Sequence, residues 1–171
     1  GFADDIEAIK VRVTQGTFNV VCSPIEAKRA PRTTQEALFS LPYTVAAAAS
    51  TGKLTLDEMT PEAIANAKVR TLAQKVTCEV DAELERRYGR IIGPSIVDVT
   101  LRDGSNFSQR VDSVKGHPTN PMSYDDVAGK FRSCIPFAAK PLALEMLERV
   151  IEQVRHLEKV RDVSEIVKLM V

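Results

Sequence analysis

The alternation of apolar and polar residues in several short segments constrains the fold most strongly. Between Ile6 and Val13 every second side chain is apolar from residue 9 onward, which predicts a strand with one buried face. Residues 76–80 repeat this pattern. A third such segment, residues 97–102, runs into Asp103-Gly104, a dipeptide that favours a tight hairpin turn. We therefore expect residues 107–114 to return beside it as an antiparallel strand.

Helices are predicted from capping residues and from apolar spacing. Thr60-Pro61-Glu62 predicts a helix that extends to about Gln74, and Ser123 is an N-cap candidate for a helix that Pro136 should end. Apolar residues at helical spacing between 147 and 157 predict a long amphipathic helix that continues to about Lys159. Residues 162–165 have the D-x-x-E form of a further helix start.

Together these segments predict the α+β fold class. The strands are not separated by regularly spaced helices, so a doubly wound parallel sheet does not fit. We expect a small antiparallel or mixed sheet with helices packed on one face, followed by a C-terminal helical tail.

Charge and hydropathy exclude several classes of partner. Lys plus Arg equals Asp plus Glu at 23 each, so no overall basic field would attract nucleic acid or an anionic membrane. No apolar run approaches the roughly 20 residues of a membrane span, and the first residues do not resemble a signal peptide. We therefore expect a cytoplasmic protein that binds neither nucleic acid nor membrane.

Cysteine and histidine content limits metal and disulfide chemistry. Cys22, Cys78 and Cys134 are odd in number and far apart, which argues against a disulfide framework and against a structural zinc site. We expect all three to be reduced and mostly to pack in the interior. His117 and His156 are the two histidines, so chemistry that needs several histidines has no place in this chain.

The segment from Pro31 to Gly52 contains the main candidate site. Pro42 suits a first helical turn, so the alanine-rich helix should begin near Ser40, with Tyr43 at its positive end. Free backbone N–H groups and the hydroxyls of Ser40, Tyr43 and Thr44 form a place where a carboxylate can bind, with the Tyr43 phenol as hydrogen-bond donor or proton carrier. The alternative is structural: the Tyr43 ring packs in the core and its hydroxyl donates to a carbonyl.

A second distinctive segment, KGHPTNPMSYDDVAGKF, covers residues 115–131. Its glycine and prolines predict a rigid loop that leads to the Ser123 cap. His117 lies in this loop. It can be interpreted either as a catalytic base or as a solvated residue without a catalytic role.

The two segments together resemble the MmgE/PrpD family. The resemblance rests on EALFSLPYTVAAA, residues 36–48, and on KGHPTNPMSYDDVAGKF, and the stretches between them agree in order and length. The family comprises metal-free lyases and isomerases that act on small carboxylic acids, 2-methylcitrate dehydratase among them. The resemblance thus implies a lyase or isomerase for a small di- or tricarboxylic acid, with no cofactor and no metal.

The resemblance also implies a domain organisation. Residues 1–134 look like the family's small α+β domain, and residues 135–171 look like C-terminal helices that pack on a large helical domain absent from this sequence. In the family, the catalytic aspartate, histidines and lysines belong to that helical domain, and one active-site tyrosine corresponds to Tyr43. Ser40 and Thr44 are the implied substrate-binding residues.

The implied function is that of an enzyme domain that is inactive by itself. Its expected partners are the small carboxylate substrate, the missing N-terminal helical domain and further copies of the chain in a homo-oligomer. The alternative is a non-catalytic dimerisation or ligand-sensing module of the same fold.

Overall fold

The computed structural model describes residues 2–89, 93–140 and 142–170. The chain divides into two compact units, Gly1–Val114 and Lys115–Val171. The domain boundary predicted at residue 134, and the packing of residues 135–171 on an absent helical domain, stay predictions.

A four-stranded mixed sheet forms the centre of the first unit. Its strands are β1 (Ile6–Val13), β2 (Val76–Val80), β3 (Ser95–Leu101) and β4 (Asn106–Val111), in the order β2-β1-β3-β4. β1 is parallel to β2 and antiparallel to β3, and β3 is antiparallel to β4. The predicted hairpin at Gly104 is confirmed by its positive φ of 86°, although β4 ends before residue 114.

Short helices connect and cover the strands of the first unit. They are α1 (Phe2–Asp5), α2 (Gln15–Thr17), α3 (Ile25–Arg29), α4 (Thr34–Leu38), α5 (Leu41–Thr51), α6 (Pro61–Ile64), α7 (Ala67–Gln74) and α8 (Ala82–Tyr88). A π-helical turn covers Phe18–Cys22 and a 3-10 turn covers Asp57–Met59.

The prediction of one continuous helix from residue 61 to residue 74 is wrong, because the segment forms α6 and α7. Asn66 separates them and caps α7: its side-chain oxygen accepts from the backbone N–H of Lys68 at 2.9 Å and of Val69 at 3.4 Å. An asparagine that bonds to nearby backbone in this way favours a helix start over a helix interior.

The core of the first unit lies between one face of the sheet and helices α5 and α7. Ile9, Val11 and Val13 point from β1 into it and are 1% exposed, and α5 and α7 contribute small or branched apolar residues such as Ala46 and Leu72. Each fully buried Val, Leu or Ile stabilises the fold by about 1.5–3 kcal/mol relative to an exposed one. The predicted α+β class, with a mixed sheet, is confirmed.

The opposite face of the sheet carries a cluster of charged residues. The Arg12 guanidinium donates to Asp98 at 2.9 Å and to Asp81 at 3.1 Å, and Ser108 Oγ also donates to Asp98 at 2.5 Å. The hydrogen bond from Arg12 is the main cause that holds the pKa of Asp98 below its usual value. The two faces thus differ as the strand alternation predicts.

The second unit is built from helices α9 (Tyr124–Cys134), α10 (Leu144–Arg155) and α11 (Ser164–Lys168), with 3-10 turns at Ile135–Phe137 and Leu157–Lys159. The predicted N-cap at Ser123 is confirmed as a capping box with Asp126. The long amphipathic helix ends at Arg155, earlier than predicted, because the chain tightens into the 3-10 turn.

Ala128, Leu147 and Ile151 form a small core in the second unit. Tyr124 reinforces it, because its hydroxyl donates to the Ile151 carbonyl at 2.5 Å. Beside this core lies an apolar groove of about 280 Å³, whose lining includes the partly exposed Val127 and Val154. Within the described ranges no helix combines the length and apolar character that a bilayer crossing demands.

Candidate active site

The start of α5 forms as the sequence predicts. Ser40 is the N-cap, with extended backbone, and its Oγ accepts from the Tyr43 N–H at 3.1 Å. The same hydroxyl donates to the carbonyl of Lys28. The Thr44 hydroxyl turns back onto the helix and donates to the Ser40 carbonyl at 2.9 Å. The three predicted site residues therefore lie together at one helix end.

Tyr43 lies in the interior of the first unit. Its side chain is 0% exposed, and its hydroxyl donates to the carbonyl of Glu58 at 2.6 Å. Burial, and secondarily the charge of Glu58, raises the pKa of the phenol above its ordinary value of 10.0. Tyr43 is thus a neutral hydrogen-bond donor in the folded protein.

Glu58 also carries a buried carboxylate, whose charge acts on this phenol. Burial alone would raise its pKa, but the backbone N–H of Thr55 at 2.7 Å and the Thr55 hydroxyl at 2.9 Å both donate to the carboxylate. Lys53 Nζ lies 3.8 Å from it. Together these donors lower the pKa of Glu58 below its ordinary value, so the carboxylate is ionised at neutral pH.

A cation also lies near the start of α5. Lys28 Nζ donates to the carbonyls of Val20 at 2.8 Å and of Phe39 at 2.6 Å, and so places an ammonium group beside the residue that precedes Ser40. The ammonium and the positive end of α5 act in the same direction, because both favour a negative charge nearby.

The helix end itself has little remaining capacity for an anion. Pro42 has no N–H, and the N–H groups of Tyr43 and Thr44 are already bonded to Ser40. The hydroxyls of Ser40, Tyr43 and Thr44 are likewise all engaged with main-chain carbonyls. Tyr43 thus has the arrangement of the structural alternative, with its ring in the core and its hydroxyl on a carbonyl. A catalytic role for Tyr43 and a substrate-binding role for Ser40 and Thr44 stay predictions.

The sequence pattern did not predict four neighbours of the site: Glu58, Thr55, Lys53 and Lys28. A local signal was present for Thr55 and Glu58, because residues 55–58 have the T-x-x-E form of a capping box. Only one half of that motif forms as such: the Thr55 backbone N–H donates to the Glu58 carboxylate, and the Thr55 hydroxyl donates to the same oxygen. The approach of Glu58 to Tyr43, in contrast, is a tertiary contact.

The two histidines lie in the second unit. His117 is exposed, and its Nδ1 lies 2.9 Å from the hydroxyl of Thr119 in the same turn. His156 Nε2 lies 3.2 Å from Glu152 at the end of α10. Across residues 2–89, 93–140 and 142–170, no group of three or more His, Cys, Asp or Glu side chains is arranged to hold a metal ion.

Comparison with known proteins places the chain in a family. The profile of the MmgE/PrpD C-terminal domain matches residues 1–160. The chain is 29% identical to cis-aconitate decarboxylase of Mus musculus over 98% of its own length and 32% of that protein's. It is 30% identical to cis-aconitate decarboxylase of Homo sapiens, and 30% identical to cis-aconitate decarboxylase-like protein oryM of Aspergillus oryzae, in each case over 82% of this chain and 28% of the relative.

The chain thus spans about a third of the length of these curated relatives. The match to the family profile nevertheless covers the whole first unit and continues through the second unit to residue 160. The chain belongs to the MmgE/PrpD family, and its residues 1–160 correspond to the C-terminal domain of that family.

Proposed function

We propose that this chain is the C-terminal domain of a lyase or isomerase that acts on a small di- or tricarboxylic acid, and that it does not turn over substrate by itself. The observation that carries the proposal is the similarity to cis-aconitate decarboxylases over up to 98% of the chain. The names of these relatives supply a decarboxylase, which is a lyase, and a carboxylic acid substrate, whereas the isomerase reaction and the wider range of acids come from the family resemblance. The remaining catalytic groups are supplied by a helical domain, and the assembly is a cytoplasmic homo-oligomer.

The electrostatics of the α5 start support a carboxylate substrate. Lys28 Nζ donates to the carbonyl of Phe39, directly before Ser40, and α5 begins directly after Ser40, so a carboxylate that approaches Ser40 meets two favourable fields. Ser40 and Thr44 bind this carboxylate once their hydroxyls exchange a main-chain carbonyl for the ligand. This step requires a local rearrangement, since both hydroxyls are otherwise engaged.

Tyr43 acts in this proposal as a neutral donor. Its raised pKa keeps the proton on the phenol, so the hydroxyl can donate a hydrogen bond or a proton to the reacting group. To reach the substrate, the hydroxyl must leave the Glu58 carbonyl. The helical domain is the element that would open this path as it closes over the substrate.

The test is Tyr43→Phe in the complete protein. The assay is turnover of cis-aconitate, 2-methylcitrate and iminodisuccinate, the last being the substrate of an epimerase that the family resemblance also includes. We expect kcat to fall by at least about ten-fold on the active substrate, because one positioned acid–base group typically contributes about 10²–10⁴-fold. Tyr124→Phe is the matched control, because it removes another hydroxyl that donates to a main-chain carbonyl, in the second unit. Equal turnover of wild type and Tyr43→Phe would refute the role of Tyr43.

The complete burial of Tyr43 favours a second candidate function, a non-catalytic dimerisation or ligand-sensing module of the same fold. The two functions predict different turnover once the helical domain is present. A non-catalytic module turns over none of the three acids even when the helical domain is present. Turnover by the complete protein, with none by this chain alone, would support the enzyme domain instead.

A further inference from the structure

We infer that Cys22 and Cys78 form a dithiol that a hydroperoxide oxidises reversibly to an intramolecular disulfide. The site lies in the first unit, and it requires neither a carboxylate substrate nor the helical domain. It therefore stands apart from the proposed enzyme function.

The fold brings the two cysteines together from distant parts of the sequence. Cys22 ends the π-helical turn Phe18–Cys22, and this turn packs on strand β2, which carries Cys78. Cys22 is 0% exposed within the main core cluster, and Cys78 is partly exposed and packs against the same cluster. Both thiols are free, and their side chains are close enough to share a hydrogen bond.

The surroundings give the two thiols different roles. The hydrogen bond with Cys22 is the main cause that lowers the pKa of Cys78, and the nearby charge of Arg29 lowers it further against the effect of burial. Arg29 is held in place by two hydrogen bonds to the Val76 carbonyl, at 3.1 Å and 2.8 Å. The same hydrogen bond and burial raise the pKa of Cys22, which remains a protonated thiol.

A partly accessible cysteine whose pKa is lowered, beside a second and fully buried thiol, is the arrangement of a peroxide-sensitive pair. The Cys78 thiolate attacks the peroxide: an S–O bond forms, the O–O bond breaks, and hydroxide or an alkoxide leaves. The Cys22 thiol then attacks the resulting sulfenic acid, so the S–S bond forms and water leaves with the Cys22 proton. The two sulfurs supply the two electrons that reduce one hydroperoxide, and a dithiol reductant reverses the bond.

The test uses the full chain, hydrogen peroxide, and peptide mapping after unreacted thiols are alkylated. We expect a cross-linked peptide pair that contains Cys22 and Cys78 and that dithiothreitol separates. Cys134 is the internal reference, because it is a partly buried cysteine in the second unit. Cys78 should react at least about ten-fold faster than Cys134, and this difference should disappear in urea.

Two variants separate the roles of the thiols. In Cys22→Ser, Cys78 should stop at the sulfenic acid, which dimedone traps, whereas in Cys78→Ser, Cys22 should stay reduced. The inference fails if Cys22 and Cys78 of the wild type both remain alkylatable at a peroxide dose that oxidises Cys134. It also fails if cross-links to Cys134 form as readily as the link between Cys22 and Cys78.

Discussion

Removal of the Tyr43 hydroxyl should destabilise the first unit. Tyr43→Phe keeps the buried ring and deletes only the group that donates to the Glu58 carbonyl at 2.6 Å. Because the site is 0% exposed, water cannot replace the lost donor in the unrelaxed structure. A buried polar group left without its partner costs about 1–3 kcal/mol, and we expect the free energy of unfolding to fall by that amount.

Tyr124→Phe is again the matched control. Its hydroxyl donates to the Ile151 carbonyl at 2.5 Å, but the side chain is only partly buried and solvent can compensate in part. We expect a loss of about 0.5–1.5 kcal/mol, the usual net contribution of one hydrogen bond.

The assay is urea unfolding followed by far-UV circular dichroism, because the chain has no tryptophan. Hydrogen exchange measured by mass spectrometry then assigns each loss to Gly1–Val114 or to Lys115–Val171. A Tyr43→Phe variant as stable as the wild type would refute the reasoning. It would mean that the Glu58 carbonyl does not hold the hydroxyl, which would then be free for a substrate.

Three further predictions concern a cap, the core and the exposed groove. Ser123→Ala should lower the free energy of unfolding by about 1 kcal/mol through loss of the N-cap. In an NMR titration Asp126 should show a pKa of about 2, below its ordinary value of 3.8. The stability that the ionised Asp126 contributes is therefore complete above pH 3.8 and is lost as the pH falls through about 2. Leu72→Ala should cost about 2–5 kcal/mol, whereas Leu38→Ala, at a side chain 49% exposed, should change stability by about 0.5 kcal/mol at most. The isolated chain should self-associate in sedimentation through its apolar groove, and Val154→Asp should shift it toward monomer; a monomeric wild type would contradict this.

The parts of the fold that depend on local pattern were predictable from the sequence. β1 covers Ile6–Val13 as predicted, because alternation records which face of a strand is buried. The start of α5 was also predictable from local sequence, because Ser40 suits an N-cap and Pro42 suits the first helical turn. The break at Asn66 was missed because a single side-chain cap outweighs an imperfect apolar stripe.

The parts that depend on tertiary contacts were not predictable from local pattern. The parallel pairing of β1 with β2 joins Ile9 to Val76, and nothing in either segment specifies the other. The partner of the Tyr43 hydroxyl lies 15 residues away at Glu58, so the sequence left both the donor role and the core role open. The proximity of Cys22 and Cys78 is of the same kind, since it arises only when the π-helical turn packs on β2.

The protonation state of Tyr43 restricts the step that it can perform. Burial and the ionised Glu58 both raise the pKa of the phenol, so a tyrosinate is disfavoured at neutral pH and Tyr43 cannot be the base that removes a substrate proton. A donor role has a distinct kinetic signature: Tyr43→Phe should lower kcat while the acidic limb of the pH–rate profile, which reports the base, keeps its position. If that limb disappeared in Tyr43→Phe, Tyr43 itself would be the group that must be ionised, and the donor role would be refuted.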